Sequence, residues 1–244
     1  MIVYHTKNVR PAIDSRFMIF GERKSGTNYT EILIKRNFGK SYTWPMVWKH
    51  WMGFITEPDY SEDDVQNTLA VGVIRDPIDW LSSMRAGPPH AHQMRKAPWP
   101  KFLQAEWRSR HDDHRNGKAE FNYEIMEDRD FDTGERYENI LKLRSKKLSW
   151  LLDPPIPCPY ILVRYDDLKS NMQEVMGVIC KTFSLTPHSR DWNGNPFFVD
   201  IKHDRHYNRP YQPHSHPRPT PEAMDIIRNG LDWDLEAKIG YKMI

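Results

Sequence analysis

Three short apolar runs decide the class of fold open to this chain: Phe17-Met18-Ile19-Phe20, Leu69-Ala70-Val71-Gly72-Val73-Ile74 and Tyr160-Ile161-Leu162-Val163-Arg164. Each is continuous rather than alternating in polarity, the pattern of a strand covered on both faces. Helical patterns follow them. Thr27 to Phe38 sets Tyr29, Ile32, Leu33 and Phe38 at near-helical spacing. Pro77 suits the first turn of a helix reaching about Arg85, and Ser170 to Phe183 reads as a helix capped by Ser170 or Asn171. Strands alternating with helices imply a three-layer α/β fold, a mostly parallel sheet flanked by helices. Ligands in such folds sit beyond the carboxyl ends of the strands.

The rest of the chain is read around that frame. Met46-Val47-Trp48 is expected to be a further short strand ending at Lys49-His50. Helices are expected over Pro100 to Arg110, over Tyr137 to Leu152 up to Asp153-Pro154-Pro155, and as one or two short pieces from Pro221. No repeat or dividing linker is visible, so residues 1–244 read as a single domain with a polar stretch at about 87–134.

Composition narrows the function classes. Thirty-five basic against 33 acidic residues leave a net charge of +2, without the basic bias of a nucleic-acid coat. Two cysteines, Cys158 and Cys180, make no disulfide framework. The first residues lack a long apolar segment, and no 18-residue apolar run occurs. Asn28-Tyr29-Thr30 is a glycosylation sequon, and a glycan there would obstruct the glycine-bounded loop just before it. A cytoplasmic location is the resulting expectation.

That loop is Gly21-Glu22-Arg23-Lys24-Ser25-Gly26, between the first apolar run and its helix. A nucleoside-triphosphate loop reads G-x-x-x-x-G-K-[ST], with the lysine on the β/γ-phosphates and the next hydroxyl on Mg²⁺. Here Thr27 takes the lysine position and Asn28 the hydroxyl position, while Lys24 stands two residues before the second glycine. Backbone amides and a helix N-terminus still make an anion nest, but the metal ligand is gone. A singly charged sulfuryl group fits such a loop. In "VIRDPIDWLSS", Arg75 ends a strand and Ser83 follows eight residues later. A guanidinium fork and a hydroxyl suit a second phosphate; the competing reading pairs Arg75 with Asp76 or Asp79.

Lys24 to Tyr29, "KSGTNY", and Arg75 to Ser83, "RDPIDWLSS", resemble the 5′-phosphosulfate loop and 3′-phosphate motif of sulfotransferases that use 3′-phosphoadenosine 5′-phosphosulfate, PAPS. "VRYDDL" (Val163 to Leu168) is similar to that family's "YEDL" segment, and "DLEAKIGY" (Asp234 to Tyr241) to a common C-terminal ending. The resemblance implies a P-loop-like sulfotransferase fold, PAPS as donor, PAP as product and no required metal.

Carried over by position, it implies a cofactor-binding set of Arg23, Lys24, Ser25, Gly26, Thr27, Asn28 and Tyr29, with Lys24 on the bridging and sulfuryl oxygens and Tyr29 stacked on adenine. Arg75 and Ser83 would hold the 3′-phosphate, and Tyr165 would lie near the base. The family often has Thr where Asn28 stands, and its glycine-rich C-terminal loop is not visible. Lys202, Arg205 and Arg209 occupy that region and are candidates there. The catalytic pair is Lys24 with His50 as the base, where the family carries Lys-x-His. Glu57 is the spare candidate, and the competing reading packs His50 between Trp48 and Trp51.

The resemblance also implies that the stretch 87–134 serves the acceptor, a small molecule or glycan. Trp99, Phe102 and Trp107 in it suit either stacking on a sugar or packing in a core. His111-Asp112-Asp113-His114 lacks a third metal ligand. A metal-dependent small-molecule kinase and a non-catalytic nucleotide-binding protein are the alternatives. The acceptor's identity and the oligomeric state are not legible in the sequence.

Overall fold

The structure, a computed structural model, describes residues 5–8, 16–39, 48–53, 61–111, 123–191, 193–200 and 216–243. These form two compact units, one from the described residues of 1–51, 55–76 and 151–215, the other from those of 52–54, 77–150 and 216–244.

The first unit is an α/β layer structure around a four-stranded mixed sheet. Its strands are β1 (His5–Lys7), β2 (Arg16–Gly21), β3 (Thr68–Ile74) and β4 (Tyr160–Arg164), in the order β1-β4-β3-β2. β2, β3 and β4 run parallel, whereas β1 pairs antiparallel with β4. The three apolar runs are thus the three parallel strands, and every residue of β3 is buried. Phe17 and Ile19, Leu69, Val71 and Val73, and Ile161 and Val163 share a core with α1 (Thr27–Phe38) and α7 (Met172–Thr182). Tyr29, Leu33, Ile34 and Phe38 supply the buried stripe of α1. Val175, Met176 and Ile179 supply that of α7. On β3, Gly72 accommodates the neighbouring Tyr160, whose hydroxyl oxygen would lie 2.1 Å from any added Cβ.

The same unit holds α2 (Glu62–Asn67) and α6 (Tyr165–Ser170), neither foreseen from sequence. The helix expected over Ser170 to Phe183 is α7, with Asn171 at its N-cap position and α6 directly before it. Asn171, at φ −134°, breaks the backbone between α6 and α7, and its side chain makes no capping bond. Ser170 belongs to α6, its hydroxyl donating to the Asp166 carbonyl. The strand expected at Met46–Trp48 is not supported where it can be followed. Met46 and Val47 lie outside the described residues, and Trp48 enters a tight turn closed by the Trp51 amide on the Trp48 carbonyl.

The second unit is helical, with α3 (Pro77–Ala86), α4 (Trp99–Gln104), α5 (Ile140–Leu152), α8 (Pro221–Gly230) and α9 (Trp233–Lys238). Trp80, Trp99, Phe102, Trp107, Ile140 and Ile227 are among the side chains of its core. α4 stops at Gln104, short of the expected Arg110, because Ala105 is already extended. α5 starts three residues later than expected, where the Asn139 carboxamide oxygen accepts from the Leu141 and Lys142 amides. No helix of the described residues is long and apolar enough to cross a membrane.

Candidate functional site

Parallel strands bring their carboxyl ends to one edge, and here Gly21 pairs in register with Val73, and Ile74 with Arg164. The segment after β2, the residue after β3 and the first turn after β4 therefore converge within the first unit.

The segment after β2 is the Gly21–Gly26 loop. Gly21 has no room for a side chain, since a Cβ would meet the Val73 carbonyl at 2.6 Å and the Ser25 hydroxyl at 2.7 Å. Gly26 precedes α1 at φ 98°, and a Cβ there would lie 2.1 Å from the Tyr165 ring. Both expected glycines are thus required, one by close approach and one also by conformation. Ser25 is buried and donates to the Glu22 carbonyl at 2.7 Å, a contact that shapes the loop. Thr27 is buried at the first position of α1, while Asn28 at the second is exposed.

Lys24 is the loop's strained residue, at φ 66° in the left-handed region that side-chain-bearing residues rarely occupy. Its ammonium has no carboxylate partner among the described residues. Lys24 is exposed by surface area, yet the protein around it strips part of the hydration of its ammonium; this desolvation first, and the charge of Arg75 second, hold its pKa below the ordinary lysine value. Arg75 donates to the Lys24 carbonyl at 3.4 Å and lies 5.4 Å from the Tyr165 ring centre. Asp79, one of the competing partners for Arg75, pairs with Arg218 at 3.3 Å in the second unit. Arg75 thus brings a second cation to the loop that carries Lys24.

The segment after β4 explains the "VRYDDL" residues physically. Arg164 forks onto Asp167 at 2.6 and 2.8 Å. Asp166 accepts the Asp76 amide at 2.8 Å, tying the residue after Arg75 to α6. Tyr165 covers Gly26 and contacts Tyr29 edge-on at 5.7 Å. Tyr29 itself is a core residue, its hydroxyl donating to Asp200 at 2.6 Å and the Lys169 ammonium 4.7 Å over its ring.

The turn at Trp48–Trp51 lies beside the end of β2. The Gly21 amide donates to the Lys49 carbonyl at 3.1 Å, and His50 Nδ1 lies 2.7 Å from the Gly21 carbonyl. A carbonyl only accepts, so Nδ1 carries the proton and the neutral ring has its lone pair on Nε2. His50 is buried, with Trp48 edge-on at 6.0 Å. Lys49, next to it, turns instead to α1, 2.5 Å from Asn28 Oδ1 and 3.9 Å from Glu31.

Arg23, Lys24, Ser25, Gly26, Thr27, Asn28, Tyr29, His50, Arg75 and Tyr165 all belong to the first unit. Ser83 is buried on α3 in the second. Trp99, Phe102 and Trp107 are buried in the core of that unit, which removes them as a sugar platform. Glu57, Lys202, Arg205, Arg209 and His114 lie outside the described residues. Among the described residues, no three His, Cys, Asp or Glu side chains gather as a metal site.

The lowered Lys24 pKa has a signed consequence. A depressed lysine disfavours its charged form in the folded state, so stability rises as pH climbs through the lowered value toward the ordinary 10.5. A bound anion favours the ammonium. Sulfate, followed by thermal shift at constant ionic strength, should therefore stabilise the protein less as pH rises, starting below 10.5, and Lys24→Met should lack this alkaline limb. A limb equally present in Lys24→Met would remove Lys24 from the anion site.

No family model matches the chain, and neither a curated protein nor a solved structure does.

Proposed function

We propose that the protein is a PAPS-dependent sulfotransferase that transfers a sulfuryl group to an acceptor hydroxyl, on a glycan or a small molecule. The observation carrying this reading is Lys24, a strained cation without a carboxylate partner among the described residues, beside Arg75 at the end of a glycine-bounded loop. A residue kept in that conformation against its own pairing preference is better accounted for by a ligand than by the fold.

The residues fit a phosphosulfate better than a triphosphate. The nest formed by Gly21 to Gly26 ends in the α1 amides, and Lys24 supplies positive charge near it. Asn28 stands where a triphosphate loop would place a metal-ligating hydroxyl, which counts against the kinase alternative. Arg75 would take the 3′-phosphate, with Tyr165 beside it.

PAPS supplies an activated sulfuryl group whose leaving group is a phosphate oxygen. In the proposed reaction, a bond forms between the acceptor oxygen and sulfur while the bond from sulfur to that phosphate oxygen breaks. The acceptor proton goes to His50 Nε2, the lone-pair nitrogen of the tautomer set by the Gly21 carbonyl. Lys24 stabilises the charge growing on the departing oxygen.

Labelled PAPS presented with a panel of carbohydrate and small-molecule hydroxyls tests the reading, with transfer to one acceptor class expected. In that assay His50→Gln should lower turnover by about 10²-fold or more with PAP affinity intact. Unchanged turnover in folded His50→Gln would end the role of His50. Transfer to no acceptor, despite PAP binding, would favour a non-catalytic nucleotide-binding protein.

A further inference from the structure

We infer that Lys49 is a specificity-determining positioning residue, orienting the Asn28 carboxamide so that the loop presents a donor, and not a metal ligand, to the bound anion. The inference rests on the reading just proposed. An ammonium has donors only, so its 2.5 Å contact with Asn28 requires the carboxamide oxygen. That contact turns Oδ1 toward Lys49 and leaves the Nδ2 hydrogens for the other side. Asn28 is exposed at the second position of α1, and its Nδ2 has no acceptor among the described residues.

The consequences differ sharply between the two orientations of one amide. With Oδ1 outward, Asn28 would meet an anion with a partial negative charge, or a cation with a ligand oxygen. With Nδ2 outward, it adds a donor to the helix-terminal amides of α1, directly after the loop that carries Lys24. Lys49 thus decides between a metal-assisted and a metal-independent anion site.

Lys49 is suited to hold this choice. The residue is 9 % exposed, Glu31 balances its charge from the next turn of α1 at 3.9 Å, and Trp48 lies 5.7 Å away. The Lys49 carbonyl is also anchored by the Gly21 amide at 3.1 Å. The carboxamide is therefore set by a side chain whose backbone is fastened to the start of the same loop.

A double-mutant cycle on PAP affinity in EDTA tests the inference, with Lys49→Met, Asn28→Ala and the two combined. Each single variant should bind PAP roughly tenfold more weakly or worse, the loss of one hydrogen bond to a charged group. The double variant should be no weaker than Asn28→Ala, because Lys49 acts through Asn28. Lys49→Met leaves Glu31 buried without its cation, so the cycle is repeated in a Glu31→Gln background if melting shows that Lys49→Met is poorly folded. Additive losses, or normal affinity in Lys49→Met, would overturn the inference while leaving the proposed function intact. Failure of the wild type itself to bind PAP would overturn the proposed function and this inference together.

Discussion

Lys24→Ala is expected to lower sulfuryl transfer by about 10²–10³-fold, the range for removing one preorganised group that faces developing charge. PAP affinity should fall much less, since the charge on the leaving oxygen grows only as the bond to sulfur breaks. The strain at this residue adds a second expectation. Lys24 holds φ 66° and bears a cation that desolvation and Arg75 both oppose. Lys24→Gly removes the strain, partly offset by the extra freedom a glycine has in the unfolded chain, so the inactive variant should be more stable than the wild type by about 1 kcal/mol. Loss of activity with a gain in stability marks a residue kept for function. A near-normal rate for Lys24→Ala, or a lower melting temperature for Lys24→Gly, would contradict the assignment.

The largest stability effect is expected in the second unit, at Glu236. Its carboxylate accepts from Arg144 Nε at 2.8 Å and from the second guanidinium nitrogen at 3.0 Å, and both side chains are shut off from solvent. Arg144 also lies 5.3 Å from the Trp80 ring centre. Glu236→Gln keeps the shape but leaves a buried guanidinium without its countercharge, at a cost of about 3–5 kcal/mol. That is a large share of the roughly 5–15 kcal/mol that holds a folded domain. Replacing the pair together, as Arg144→Met with Glu236→Leu, should cost far less, because no uncompensated charge remains. Urea denaturation of the three proteins measures this, and a single variant losing under about 1 kcal/mol would show that the pair is not essential.

Glu236 also shows what kind of information the sequence carried. "DLEAKIGY" stands out in the sequence only by resemblance to a common ending, yet its glutamate neutralises a buried arginine on α5 and its Ile239 and Tyr241 are buried. The parallel strands were legible because each is a continuous apolar run that ends at a glycine or an arginine. β1 was not, since His5-Thr6-Lys7 has no apolar pattern and exists through pairing with β4. The same applies to α2, where Glu62-Asp63-Asp64-Val65-Gln66-Asn67 has one apolar residue.

The site divides in the same way. Lys24 and Arg75 were visible through spacing from strand ends, a local property. Their mutual approach, the cover of Tyr165 over Gly26 and the turn of Lys49 toward Asn28 join distant segments. No pattern within any one segment encodes them. The aromatic residues of the middle stretch were ambiguous for a related reason, since Trp99 and Trp107 look alike in sequence whether they face a ligand or a core.

The most direct test of the account is isothermal calorimetry of the wild-type protein with PAP in EDTA, repeated with Mg²⁺, and compared with AMP and with ATP·Mg²⁺. The account predicts PAP binding that chelation leaves unchanged, and AMP, which lacks the 3′-phosphate, bound more weakly by about 1.5–3 kcal/mol through the lost contact with Arg75. PAP binding that collapses in EDTA, or ATP·Mg²⁺ binding in its place, would contradict it.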